Sequence, residues 1–174
     1  MWQEGEISNF ISNFANGLTP YIEARYNQIL TRTVETGKAK IVNLPKICDP
    51  RGNLSVVENM KDVPFEVRRV YWTYDVPSGE ERGGHSHKQC REMLIAVSGS
   101  FDVLLDDGCS QRTVTLNRPN IALIIEPGIW RVLNNFASGS VCLVLASHFF
   151  AEDDYIRCYD DFLLSKGITT TTHQ

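Results

Sequence analysis

No unbroken apolar run in the sequence approaches the roughly 20 residues needed to cross a bilayer, and its first ten residues, MWQEGEISNF, lack the basic-then-apolar order of a secretory leader. A cytoplasmic location with no membrane partner is therefore expected. Nor is there a surplus of positive charge. Seventeen Lys and Arg against 21 Asp and Glu leave a net charge of −4, which argues against nucleic acid as a partner, because such binding relies on a basic surface to neutralise phosphates. C-x-x-C pairs are absent. The five cysteines, Cys48, Cys90, Cys109, Cys142 and Cys158, are odd in number and widely spaced, which excludes a disulfide framework or a zinc ribbon and predicts reduced thiols. Histidine is scarce at four residues, yet two of the four stand one residue apart in EERGGHSHKQCREML, residues 80–94.

What is present is enough apolar material, 43% of 174 residues, to bury one core of ordinary domain size, with no room for a second full domain. Residues 1–37 predict an N-terminal helical extension. Ile7, Phe10, Ile11 and Phe14 recur at helical spacing, a Gly-Leu-Thr-Pro break follows, and Tyr21, Ile22, Tyr26, Ile29 and Leu30 resume the spacing. Two short helices fit, either packed on the body or lying in a dimer contact. Over 38–150 the texture changes to short runs rich in Val, Ile, Leu and aromatics: LSVVE, FEVRRVYWTYDV, EMLIAV, SFDVLLDD, RTVTL, IALIIE, WRVLNNF and SVCLVLASHFF. Their number and spacing, punctuated by SGS at 98–100 and DDG at 106–108, predict a mainly β protein, an antiparallel sandwich or barrel. Residues 151–167, AEDDYIRCYDDFLLSKG, read as a closing C-terminal helix with acidic residues in the first turn and Lys166-Gly167 at the end. Residues 168–174 form a tail expected to be disordered, and His173 is excluded from the chemistry.

Residues i and i+2 of a strand project to one face, so His85 and His87 are expected on the same side of the sheet. The wider spacing, Gly79-x5-His85-x-His87-x4-Glu92-x6-Gly99, resembles the first signature of the cupin superfamily, whose small double-sheet barrels often hold a metal with two His, a Glu and one more His. The place of that further His, after a Pro-x-Gly turn, is taken here by Arg131 in EPGIWRVLNNF. A guanidinium has no lone pair for a cation, so no metal is expected, although Glu92 keeps a metal-dependent alternative open. His148 reads as a structural histidine of its strand.

Successive segments are similar to those of a narrower family. DPRGNLSVVEN, PFEVRRVYW, ERGGHSHK, LLDDG, Trp130 with the following NNF, and DYIRCYDDF resemble motifs of the sugar-nucleotide 3,4-ketoisomerases, metal-independent cupins acting on dTDP-4-keto-6-deoxyglucose. The resemblance runs in order from about Ile41 to Phe162. It implies a cupin-type double-stranded β-helix (jelly-roll barrel) with helices at both ends, no cofactor, a dTDP-linked deoxysugar as partner, conversion of the 4-keto sugar to its 3-keto isomer, and a homodimer. Two positions depart from the family pattern. Arg131 stands where members tend to have His, and Glu92 where they tend to have an amide.

A shift of the carbonyl from C4 to C3 requires a base for the C3 proton, a stabilised enediolate and a proton returned to C4. Imidazole, with an unperturbed pKa of about 6.5, suits that task. His87 is expected as the carbon base and His85 as the oxygen-side acid/base, though spacing does not rank them. Arg69 and Tyr71, two apart in VRRVYW, are expected to share an inward face, with Arg68 and Trp72 outward. Tyr71 would then be catalytic and Arg69 would face the developing negative charge. The bland readings are a core aromatic and an exposed strand charge. Arg51, Arg82 and Lys88 are the candidates for the diphosphate, since guanidinium forks bind phosphate bidentately. DPRGN is also an ordinary turn sequence. Trp130 or Tyr74 could stack on a base. Tyr155 and Arg157 could flank the entrance, but helix packing also explains that segment, and both are left out of the catalytic set. A sugar-binding module without catalysis is the third alternative.

Overall fold

The computed structural model describes residues 35–36 and 39–169 of the chain. The two helices predicted within residues 1–37 lie outside the described residues. Of that stretch, Glu35–Thr36 forms a short strand, β1, paired with the next one.

Two antiparallel sheets make the body. The first has six strands in the order β1, β2 (Ala39–Asn43), β10 (Ile121–Ile125), β7 (Glu92–Ser98), β12 (Val141–Ala146) and β5 (Arg69–Thr73). The second has five, in the order β13 (Tyr155–Ile156), β6 (Arg82–His87), β11 (Trp130–Asn134), β8 (Phe101–Asp106) and β9 (Gln111–Leu116). A separate hairpin, β3 (Lys46–Asp49) with β4 (Gly52–Ser55), joins neither. The mainly β prediction is met.

Alternation along each strand explains the core. Leu94, Ala96, Leu123, Ile125, Cys142 and Val144 of the first sheet meet Phe101, Val103, Leu105, Val114, Leu116 and Leu133 of the second in one buried cluster. The intervening residues of the first sheet, Met93, Ile95, Ala122, Ile124 and Leu145, are buried too, beneath Leu44, Val63 and Phe65. A sheet covered on both faces has no polar alternation, and so MLIAV and IALII read as continuous apolar runs.

The turn signals fall where they are needed. Gly99, with φ +65°, lies between β7 and β8, which belong to different sheets; a Cβ there would sit 2.3 Å from Ser140 Oγ, so only glycine fits. Asp107 and Gly108 turn the β8–β9 hairpin, closed by Asp107 N donating to Ser110 O at 3.2 Å.

The closing helix is shorter than the sequence indicates. Glu152–Asp154 forms a 3-10 turn, Tyr155–Ile156 is strand β13 paired with His87 and Ser86, and only Tyr159–Ser165 is helical (α1). The reason is local. Asp154 spends its carboxylate on the backbone N–H groups of Gln89 and Cys90 rather than on a helix start. α1 lays Phe162, fully buried, against Trp130. No described helix is long and apolar enough to cross a membrane.

Candidate active site

β6 carries the histidine pair and is held by few apolar residues of its own. Its pairing with β11 runs Arg131 to His85 and then Val132 to Gly83, which leaves Gly84 as the extra residue of a bulge. Gly83 (φ +86°) and Gly84 (φ +63°) permit it, and a Cβ on Gly83 would meet the Arg131 carbonyl at 2.8 Å. After the bulge, His85 and His87 point to the same side with ring centroids 5.1 Å apart, as the i, i+2 spacing predicts.

Between the sheets lies a pocket of about 80 Å³ lined by Tyr71, Thr73, Glu92, Leu94 and Val144 from the first sheet and Arg82, Gly83, His85, Arg131 and Leu133 from the second. Its floor is ionic. Glu92 and Arg131, each 2% exposed, form an ion pair through Glu92 Oε2, while Tyr71 donates to Glu92 Oε1 at 2.6 Å. Burial pushes the Glu92 carboxyl up, but Arg131, His87 and Tyr71 outweigh it and hold the group ionised well below the usual carboxylate range. Burial, followed by the neighbouring Glu92 charge, raises the Tyr71 phenol, which stays protonated.

The two imidazoles have different surroundings. His85 lines the pocket, and burial followed by the Arg131 charge lowers its pKa to about 4, so it is neutral at physiological pH. Neither of its ring nitrogens has a hydrogen-bond partner within the protein. His87 is 1% exposed and lies behind. Its Nδ1 is 2.8 Å from Asp154 Oδ2 and its Nε2 3.3 Å from Glu92 Oε1, although neither approach has the angle of a formed hydrogen bond. Tyr155, opposite His87 in the β13–β6 pairing, covers both rings at centroid distances of 4.9 Å from His85 and 4.3 Å from His87.

Arg69 and Tyr71 do share the inward face, the guanidinium 5.2 Å above the tyrosine ring, whereas Trp72 is exposed and Arg68 lies over Phe149. Arg69 also reaches Tyr155 Oη at 3.5 Å. Arg82 is exposed where it lines the pocket. Lys88 instead ties its Nζ to the Asp153 carbonyl at 2.6 Å. Arg51, with a side chain 90% exposed, pairs with Asp49 in the β3–β4 hairpin and does not line the pocket. Trp130 is buried against Tyr159 and Phe162 and so is unavailable for stacking on a base; Tyr74 is exposed. His148 follows β12, is exposed, and has its Nδ1 2.8 Å from Ser147 Oγ.

Four groups were not among the predicted site residues, and one of them, Glu92, entered the sequence reading only through the metal alternative and as a departure from the family pattern. Arg131 stood out in the sequence only as a missing histidine. Asp154 was concealed in an acidic run that reads as a helix start, and Tyr155 in a segment that reads as helix packing.

His85, His87 and Glu92 each offer one ligand atom within 4.8 Å of the others, as do His87, Cys90 and Asp154. The first set suits a cation poorly, since both Glu92 oxygens already serve Tyr71 and Arg131.

A neutral imidazole facing a pocket, a second imidazole behind it, and a buried carboxylate–guanidinium–phenol floor are groups chemically suited to moving protons, set between the sheets of a two-sheet β protein. The chain belongs to the family described as FdtA: WxcM-like, C-terminal, whose model matches residues 37–167. It is 42% identical over 123 residues to a TDP-4-oxo-6-deoxy-alpha-D-glucose-3,4-oxoisomerase of Aneurinibacillus thermoaerophilus, covering 71% of this chain and 88% of the relative. A 3,4-ketoisomerase from Helicobacter canadensis superposes with a TM-score of 0.74 at 42% identity, covering 76% of this chain and 99% of the other. A mutant of the 3,4-ketoisomerase QdtA from Thermoanaerobacterium thermosaccharolyticum, in complex with TDP-4-keto-6-deoxyglucose, superposes with a TM-score of 0.74 at 34% identity, covering 75% and 95%.

Proposed function

We propose that the chain is a sugar-nucleotide 3,4-ketoisomerase that converts dTDP-4-keto-6-deoxyglucose into a dTDP-3-keto-6-deoxyhexose. The single observation that carries this reading is the neutral His85 ring, unpartnered and lining the pocket 5.1 Å from a second imidazole, in a family whose relatives bear that activity. We assign the fold as a cupin-type double-stranded β-helix, with residues 38–150 as its barrel, and the location as cytoplasmic; all five cysteines are free thiols, which fits.

The reaction needs no external reductant or oxidant. A base takes the C3 proton, the electron pair forms a C3–C4 double bond and the former carbonyl oxygen becomes negative. A proton then moves from O3 to O4, and another is delivered to C4, leaving the carbonyl at C3. His85 and His87 are the pair we assign to these transfers. His85 already lines the pocket, whereas access to His87 requires the Tyr155 ring to turn aside as the sugar enters. Tyr71 is the third catalytic residue, holding Glu92 in place. Arg69 supplies positive charge for the enediolate oxygen.

Arg82 and Lys88 are our candidates for the diphosphate within one chain. The protein works as a homodimer in this reading. The β3–β4 hairpin projects Ile47 and Leu54, both more than half exposed, from a sheet that joins neither main sheet, and a second copy is the occupant we assign to that surface. Arg51, at the turn of the hairpin, then serves the substrate in the dimer.

Incubation with dTDP-4-keto-6-deoxyglucose in deuterated water, followed by NMR of the sugar ring, tests the function. Deuterium at C3 or C4 together with a 3-keto product is expected. Tight binding with no exchange would leave a sugar-binding module instead. A metal-dependent enzyme is the second reading, and it would require Glu92 of the His85–His87–Glu92 grouping to give up Tyr71 or Arg131; a stoichiometric transition metal in untagged protein, required for turnover, would establish it.

A further inference from the structure

We propose that Asp154 is a positioning residue that fixes the hydrogen of His87 on Nδ1, so that protons enter and leave this ring through Nε2, the edge toward Glu92. The functional half of this inference rests on the ketoisomerase reading.

Asp154 is held independently of His87. Its Oδ1 accepts the Gln89 N–H at 2.7 Å and its Oδ2 the Cys90 N–H at 3.3 Å, and its own carbonyl accepts the Lys88 N–H at 2.8 Å. The next residue is locked into the β13–β6 pairing opposite His87. The carboxylate is therefore anchored to the turn that follows the histidine strand, with Oδ2 left 2.8 Å from Nδ1.

The other groups around the ring do not compete for that edge. From β7, Glu92 approaches Nε2 at 3.3 Å and is engaged by Tyr71 and Arg131. From β6, His85 packs edge-on, and from β13 Tyr155 covers the ring face. The Cys90 thiol, in the turn, contacts the Arg91 carbonyl at 3.5 Å. Both ring nitrogens face carboxylates, which only accept, but Asp154 Oδ2 lies nearer its nitrogen, 2.8 Å against 3.3 Å, and Glu92 Oε1 already accepts from Tyr71, so a single ring hydrogen is assigned to Nδ1, a small turn of the ring bringing the N–H into line with Asp154. The hydrogen bond that one ring nitrogen makes decides what the other can do.

Asp154→Asn is the informative change. With Oδ1 still needed by the Gln89 N–H, the new NH2 replaces Oδ2 and donates toward Nδ1, which must then become an acceptor. The expected result is a histidine ¹⁵N NMR spectrum in which His87, assigned with His87→Asn, moves its hydrogen from Nδ1 to Nε2. With dTDP-4-keto-6-deoxyglucose, kcat is expected to fall about 100-fold or more while KM changes less than about threefold. A role in strand packing alone would lower the melting temperature without moving the tautomer. Wild-type protein with the His87 hydrogen on Nε2 overturns the proposal whatever the variant does, and so does a variant whose kcat stays within about threefold of wild type. Wild-type protein with the expected tautomer but no isomerisation would sink the ketoisomerase reading instead, leaving the assignment of the hydrogen intact.

Discussion

Replacing Glu92 by Gln and Arg131 by His, singly and together, tests whether the two buried charges are one feature. Both side chains are 2% exposed and they are paired with each other. Glu92→Gln alone leaves a buried guanidinium with no counter-charge, and removing one partner of a buried pair costs about 3–5 kcal/mol. Arg131→His alone leaves the Glu92 carboxylate buried with only the Tyr71 donor at 2.6 Å and the His87 ring at 3.3 Å, a penalty of similar size. The double variant removes both charges and keeps an amide oxygen to accept from Tyr71. Its loss should be smaller than the sum of the single losses by about 2 kcal/mol or more. Urea unfolding of the four proteins at pH 7 measures this directly. Additivity within about 0.5 kcal/mol would refute the coupling.

His85→Asn and His87→Asn should each lower kcat by about two to four powers of ten with little change in melting temperature; a variant within about tenfold of wild type removes that ring from the proton transfers. Because His85 falls to about 4 in the fold from 6.5, the unfolded chain binds a proton over that window that the native ring refuses. Stability is then full above pH 6.5 and declines as the pH drops toward 4, by at most about 3.5 kcal/mol at 1.4 kcal/mol per unit. His85→Asn should flatten that decline in a pH series of melts, and an unchanged slope contradicts the assignment. Tyr71→Phe deletes a hydrogen bond to a buried charge and should cost about 1.5–3 kcal/mol in urea unfolding. Arg51→Ala should raise KM for the sugar nucleotide without altering kcat, and an unchanged KM removes Arg51 from the binding set.

Strands β7 to β12 were legible because their apolar runs are long and their turns carry Gly, Asp and Ser. The strand that matters most for function was not, since RGGHSH has no apolar periodicity and is held by its neighbours β11 and β13. Its two histidines could still be placed on one face, because side-chain alternation follows from extended geometry alone. The inward pair Arg69 and Tyr71 was readable for the same reason. Asp154 and Tyr155 were not, since their roles come from pairing with residues more than 60 positions earlier, and an acidic run followed by aromatics fits a helix start equally well. The Glu92–Arg131 pair appeared in the sequence as two separate oddities, and only the facing of β7 and β11 across the core makes them partners.

The two-residue strand β13 has a consequence for how the enzyme matures. Both histidines are in the first 90 residues, but the roof over them and the acid behind His87 arrive after residue 153. A nascent polypeptide, or one clipped by a protease shortly before Asp154, would carry the imidazoles yet leave them wet and untethered, so chemical competence comes only once nearly all of the described chain has been made.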